Sequence, residues 1–365
     1  MKSSFDLPSN IPRKAELERV STLLKKDSDL VVTGVPGIGR RTLIRDAAHQ
    51  SDIRHLEVDC LRCRSARQFL RLLTDGINNA FSKPDELAKI HQWRLDQALG
   101  FDLAETGKAG LAWSTAPGKE WPLFERLLSL PQYLAESLDC RIVIVFHNFA
   151  HIRAWDRHRK WETRLLQEIQ QQAQVSYVLV AIVQEPWMEA MGLPVIFLGP
   201  LSDPDMQPWA VSKMAAAGLS FDPDGQSLAV FLSYVQGHIK DAIALAQRIQ
   251  LACQAVSTQM PVRVIQTHHI HSSMLALVKD LEVTFEALLL LLPPTQAKLL
   301  ESLSFDPTES PQSSAYIKTH RLSRGGSLQG ALSSLEQKGL IYGPQLGYQV
   351  SLPLLDFWIK HSQRM

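Results

Sequence analysis

The chain has 365 residues, enough for two or three domains, and 45% of them are apolar, which supports real cores. A formal net charge of +1 supplies no global field toward nucleic acid or a membrane surface, so any such binding must be local. The longest apolar run, around Ala287 to Leu292, is well short of the ~20 residues that a bilayer span needs, and no signal-like leader opens the chain; a cytoplasmic protein is expected.

The first expected element is a helix from Ile11-Pro12 to Leu24, with Leu17, Val20 and Leu24 at i, i+3 and i+7. It leads into a strand, Leu30 to Thr33. Gly34-Val35-Pro36-Gly37-Ile38-Gly39-Arg40-Arg41-Thr42 follows, and then a helix-compatible run. This is the frame of a phosphate-binding loop, G-x-x-x-x-G-K-[ST]. There, glycines let backbone N–H groups close on phosphate oxygens, the Lys reaches the β/γ-phosphates, and the hydroxyl ligates Mg²⁺. Gly34 and Gly39 keep the frame, and Gly37 eases the turn. Arg40 stands where the Lys belongs and Arg41 where the Ser or Thr belongs. Moving the frame so that Thr42 supplies the hydroxyl puts Val35 and Arg40 on the glycine positions, which is a worse fit.

A guanidinium still holds phosphate, and the helix N-terminus still offers N–H groups to an anion. Its planar fork is not the point charge of a Lys, however, and Arg41 has no oxygen for Mg²⁺ and opposes it by charge. The cofactor expectation is therefore ATP or ADP held without Mg²⁺. The alternative is an ordinary strand-turn-helix junction with no ligand.

His55 to Asp59 alternates apolar and polar residues and should be a second strand. Cys60 and Cys63 form the chain's one C-x-x-C, with no second pair at metal-site spacing, so they are read as incidental thiols and no metal site is expected. Phe69, Leu70, Leu72 and Leu73 line the next helix. Residues Ser82 to Trp121, with scattered Gly and Pro, are expected to be a mobile insertion or helices separated by loops. A helix resumes from Trp121 to Leu138.

Arg141 to Phe146 reads as a strand buried on both faces. It ends in His147-Asn148, where P-loop enzymes carry Asp-Glu to hold the Mg²⁺ shell and polarise water. Neither His147 nor Asn148 can do this work. The next segment, His151 to Trp161, has two readings. In one, Arg153, Arg157, Arg159 and Lys160 contact nucleic-acid phosphates while a Trp stacks on a base. In the other it is a solvated helix with Trp161, Leu165 and Ile169 buried at i, i+4 and i+8.

Ser176 to Ile182 and Val195 to Leu198 complete the strands. Strands alternating with helices predict a parallel α/β sheet. From Gly199 the character is helical, with Met206 to Ala217, Gln226 to Val235 and Ile239 to Ala255 as candidates and Leu275 to Leu292 as a connecting helix. Thr295 to Leu303, Ser313 to Thr319 and Ser327 to Gln337 are three short helices. Leu340 to Tyr342 and Tyr348 to Ser351 form a hairpin, and together these make a winged helix-turn-helix.

Four stretches carry a family resemblance. Arg13-Lys14-Ala15-Glu16-Leu17 is similar to the R-x-x-E-L helix that precedes the loop in archaeal-type ATPases of the STAND branch of P-loop NTPases, relatives of AAA+ proteins and origin-recognition initiators. Val175 to Leu179 resembles their strand after Walker B. Gly237-His238-Ile239 lies where they have a Gly-Gly-x-Pro turn opening a lid helix. The last segment, from Leu340 through Pro353-Leu354-Leu355-Asp356-Phe357-Trp358, is like their winged helix.

The resemblance implies an α/β P-loop NTPase (AAA+/STAND-like) core over 1–198, an α-helical lid over 199–274, and a connecting helix with a C-terminal winged helix-turn-helix over 275–365. The departures fall on nucleotide chemistry: Arg40 and Arg41, His147 and Asn148, and a lid turn lacking its second Gly and its Pro. Loss of hydrolysis explains all three at once. The implied function is an ATPase-like, non-hydrolysing scaffold or regulator that acts by binding a protein partner. The alternatives are an ATP- or ADP-binding switch without turnover, or a DNA-binding regulator acting through the winged helix or the basic Arg153–Trp161 segment, with any nucleic-acid binding weak and sequence-independent. Base readout by the third short helix would fall to Gln329, Gln337 and Lys338, with Arg321 and Arg324 just before it, which is a thin set.

Overall fold

Each apolar, β-branched run becomes a strand in the computed structural model, which describes residues 13–95, 101–103, 111–113, 118–169, 171–255 and 264–362. Two units result: residues 14–33 with 40–197, and Arg13 with Gly34–Gly39 and the residues from Leu198 onward.

In the first unit, α1 (Lys14–Lys25) buries Val20 and Leu24, the face that their spacing selects. β1 (Leu30–Thr33), α2 (Arg40–Gln50) and β2 (Arg54–Asp59) follow, and β2 buries Leu56 and Val58 in the alternation expected. α3 (Ala66–Ala80) starts on Ser65, whose hydroxyl accepts from the Gln68 N–H. Within 82–121 there are α4 (Pro84–Leu95) and an antiparallel ribbon of β3 (Phe101–Leu103) and β4 (Leu111–Trp113). The sequence predicts no strands here, because three-residue strands are too short to show a period. The Asn78 side chain on α3 pins the ribbon: its Nδ2 donates to Leu111 O at 2.9 Å and its Oδ1 accepts from Leu111 N at 2.8 Å.

The unit continues through α5 (Glu120–Ser137), β5 (Ile142–His147), α6 (Lys160–Glu168), β6 (Val175–Ala181), α7 (Pro186–Ala190) and β7 (Val195–Phe197). The sheet is parallel throughout, in the order β2-β5-β6-β1-β7. β1, β5 and β6 are buried along their whole length, as continuous apolar runs require in a sheet covered on both faces. Register places Asp59, the last residue of β2, beside His147, the last residue of β5. Ligands of open α/β sheets bind outside such carboxyl ends.

The second unit holds α8 (Asp203–Ala215), β8 (Ser220–Phe221), α9 (Ser227–Val235), α10 (Ile239–Ala255), β9 (Val264–Ile265) and α11 (Thr267–Leu291). α11 begins before the expected Leu275. After it come α12 (Pro294–Phe305), α13 (Ser314–His320), α14 (Gly326–Gln337) and α15 (Pro353–Ser362). The wing is short: Tyr342 N donates to Gln349 O at 2.9 Å and Ser351 N to Leu340 O at 3.0 Å. One apolar cluster runs from Leu201 to Ile359, taking in the packed faces of α8 to α15. Among the described residues no helix is long and apolar enough to cross a membrane.

Candidate anion loop and charge centre

The chain leaves β1 and turns at Gly34, Gly37 and Gly39, with φ of +146°, +89° and +97°. At Gly37 a side chain would also strike His238, whose Cε1 lies 2.6 Å from the place of a Cβ. Three successive carbonyls of the loop each have a partner. Pro36 O faces His238 Nε2 at 2.9 Å, Gly37 O accepts from Lys240 N at 3.0 Å, and Ile38 O accepts from the Arg13 guanidinium at 3.2 Å. In a trans peptide the N–H points away from the C=O, so the N–H groups of Gly37, Ile38 and Gly39 each point away from the partner of the preceding carbonyl. Among the described residues none of these three donates to a backbone carbonyl. Successive N–H groups presented in this manner can cradle an anion.

Arg40 and Arg41 open α2. The Arg40 guanidinium donates to Ala181 O, at the carboxyl end of β6, at 2.7 Å. Burial, and then the neighbouring Arg41, lower its pKa to about 10 against the pull of Asp59. The Arg40 cation is thus engaged by a strand-end carbonyl. Thr42 lies one residue further along α2, half-buried.

Arg41 lies over carboxylates: its Nε is 3.3 Å from Glu57 Oε2 and its Nη2 is 3.4 Å from Asp59 Oδ2. His147, buried at 4% exposure, places Nε2 3.2 Å from the same Glu57 oxygen and 3.4 Å from Arg41 Nε. One ring nitrogen cannot donate and accept together. Glu57 takes the Nε2–H, and Arg41 Nε belongs to Glu57 as well. Asn148, at φ +52°, donates from Nδ2 to Asp59 Oδ1 at 2.9 Å. That oxygen also accepts from Leu61 N at 3.2 Å, capping the 3₁₀ turn Cys60–Arg62. Arg45 Nη2 adds a further bond to Glu57 at 3.1 Å. Burial alone would raise the Glu57 carboxyl, but hydrogen bonds from His147 and Arg45, with their charges, bring its pKa down to about 2.

Two carboxylates, Glu57 and Asp59, therefore stand on β2, the strand beside β5. In the sequence His55 to Asp59 reads only as a strand. The period of two already placed Glu57 and Asp59 on one face, but nothing in it gave the pairing with β5. The donor set does not fit Mg²⁺: position 41 offers no hydroxyl, position 147 offers nitrogen, and Arg41 already counters both carboxylates.

In the basic segment Arg153 is engaged internally. Its Nε lies 2.8 and 3.0 Å from the two oxygens of Glu162, and its Nη1 meets Glu185. Asp156 caps α6, accepting from the N–H groups of Lys160, Trp161 and Glu162 at 3.0, 2.9 and 2.9 Å. Trp161 stacks on Phe124 with ring centres 4.5 Å apart, Leu165 and Ile169 are buried, and the Lys160 ammonium lies 3.7 Å over the Trp121 ring. Arg157 and Arg159 are exposed. On α14 the exposed positions include Ser327, Gln329, Gly330 and Gln337, and Lys338 just after it is exposed as well.

This architecture is a P-loop NTPase-like parallel-sheet core followed by helices and a C-terminal winged helix. A family model described as a probable winged helix domain matches residues 283–361. The whole chain is similar in fold to a Walker-type ATPase of Pyrococcus abyssi, at 11% identity over 98% of this chain and 100% of that one, with a TM-score of 0.65. It is also similar to the ORC2 protein of Aeropyrum pernix in its ADP form, at 11% identity over 99% and 98% of the two chains and a TM-score of 0.56. Cdc6p from Pyrobaculum aerophilum gives 13% identity over 99% and 98%, with a TM-score of 0.51. At such identities the likeness is one of fold. No curated protein matches the chain.

Proposed function

We propose that this protein is an ATPase-fold regulator that holds the phosphates of ATP or ADP without Mg²⁺, does not hydrolyse them, and acts by binding a protein partner in the cytoplasm. The observation that carries the reading is Arg41 lying over Glu57 and Asp59: a resident guanidinium fills the role of counter-ion that a metal would otherwise take. Gly34, Gly37 and Gly39 shape the loop, its N–H groups take the phosphate, and Arg40 and Arg41 follow it directly in the chain. His147 and Asn148 orient the carboxylates of β2, with the His147 Nε2–H turned to Glu57, and the Asn148 amide cannot act as a base toward water. In this reading residues 1–198 are the core, 199–274 a lid, and 275–365 the winged-helix module.

Protein contact is favoured over base readout because the exposed face of α14 is mostly small and neutral, whereas a nucleic-acid module needs clustered cations and base-reading groups. Incubating the pure protein with labelled ATP, in Mg²⁺ and in EDTA, tests both halves of the reading. Nucleotide retained in EDTA with no phosphate released is the expected result. Sustained phosphate release that needs Mg²⁺ would overturn it.

A further inference from the structure

Within the unit formed by Arg13, Gly34–Gly39 and the residues from Leu198, buried polar groups lead from the loop to the winged helix. His238 is 1% exposed and Asp241 7% exposed. One ring nitrogen of His238, Nε2, faces Pro36 O at 2.9 Å. The other, Nδ1, lies 3.1 Å from Asp241 Oδ1 and 3.3 Å from the Asp241 amide. The second carboxylate oxygen of Asp241 accepts from Leu354 N at 3.2 Å. Leu354 stands in the first turn of α15, where backbone N–H groups have no partner within their own helix. Asp241 on α10 thus caps α15 from outside, and α15 carries the buried Leu355, Trp358 and Ile359.

We propose that His238 and Asp241 couple the two ends of this line, so that an anion in the loop is read at the first turn of α15. The inference rests on the anion-binding reading above and names its regulation. Its sign follows from the peptide unit. When the Gly37 N–H donates to a phosphate oxygen, the Pro36 carbonyl of the same unit becomes a stronger acceptor, because bonds in a chain polarise one another. The His238 bond tightens, the ring is fixed, and Asp241 is held in the position that caps α15. Coupling of binding free energies is reciprocal, so a partner that loosens α15 weakens the hold on the anion. His238 and Asp241 are positioning residues here, since neither touches the anion.

Hydrogen exchange of the full chain, with inorganic tripolyphosphate as the probe and calorimetry to establish its binding, tests the coupling. Exchange in the peptide spanning Leu352 to Trp358 should slow on the order of tenfold at saturation, the effect of firming one hydrogen bond to a charged group. In His238→Ala, tripolyphosphate should still bind while the α15 response disappears. Asp241→Asn, a milder change, should also lose the response. Binding with unchanged α15 exchange in the wild type, or a response retained in both folded variants, overturns the coupling and leaves the anion reading standing. Absence of binding by the wild type overturns both.

Discussion

The Arg41 guanidinium lies 3.3 Å from Glu57 and 3.4 Å from Asp59, with His147 against the same Glu57 oxygen. Two carboxylates at a strand end thereby carry a cation that the chain itself supplies. A side chain cannot dissociate as a metal does, nor offer open coordination positions to phosphate oxygens and water.

No ATP turnover above background is expected, and Arg41→Thr alone should not restore it, because His147 and Asn148 still supply neither a Mg²⁺ ligand nor a water-orienting acid. Restoring Lys, Thr, Asp and Glu together at positions 40, 41, 147 and 148 is the variant to compare. Phosphate release over many turnovers by the wild type, abolished by Arg40→Ala, would contradict this.

Glu57 makes the centre sensitive to acid. Its carboxyl falls from 4.5 in the unfolded chain to about 2 in the fold, so its contribution is fully present above pH 4.5 and is lost as pH drops toward 2. The shift corresponds to at most about 3 kcal/mol, reduced by water around the half-exposed Arg41 and Arg45. Urea unfolding at pH 7 and pH 3 should show a smaller loss of stability between the two for Glu57→Gln than for the wild type. Equal losses would show that Glu57 is not held by these partners.

Glycine positions divide by what surrounds them. Gly192 has φ +65° with nothing within 4 Å of a Cβ, so Gly192→Ala should cost only the backbone preference, about 1 kcal/mol. Gly237, at φ +72°, would place a Cβ 2.1 Å from Leu201 O, a backbone atom that cannot swing aside. Gly237→Ala should therefore cost about 3 kcal/mol or more, or prevent folding. Thermal unfolding of the two variants side by side decides.

The basic segment should likewise divide. Arg153→Ala leaves the buried Glu162 carboxylate with only the distant Arg159, 4.0 Å away, and should destabilise the fold by about 3 kcal/mol. Arg157→Ala and Arg159→Ala should leave stability unchanged. Any DNA binding should be weak, indifferent to sequence and steep in salt, and should fall with Arg157, Arg159 and Lys160 more than with Gln329. A footprint at one defined sequence in physiological salt would contradict this.

Long apolar runs made the sheet legible. β1, β5 and β6 stand where their β-branched stretches fall, and three short helices with a hairpin marked the winged helix that the family model also finds. The ribbon of β3 and β4 was not legible, since it owes its place to Asn78 and to a partner strand rather than to any period of its own. In the centre, Arg40, Arg41, His147 and Asn148 were visible as departures from the phosphate-loop and strand-end patterns. The contacts were not: Arg41 meets Glu57 and Asp59 through the packing of α2 beside β2, and His147 meets Glu57 through the parallel register of β2 with β5, strands far apart in the chain. His238 was visible only as a departure from the lid turn. Its bond to Pro36 spans 202 positions, a distance across which no local pattern speaks.

Calorimetric titration of the wild type with ADP and with ATP, each in Mg²⁺ and in EDTA, tests the resident-cation reading most directly. If Arg41 fills the role of the metal, both nucleotides bind with similar affinity, and removing Mg²⁺ changes neither. Tight ATP binding that appears in Mg²⁺ and vanishes in EDTA would show that a metal is held at Glu57 and Asp59 in spite of Arg41.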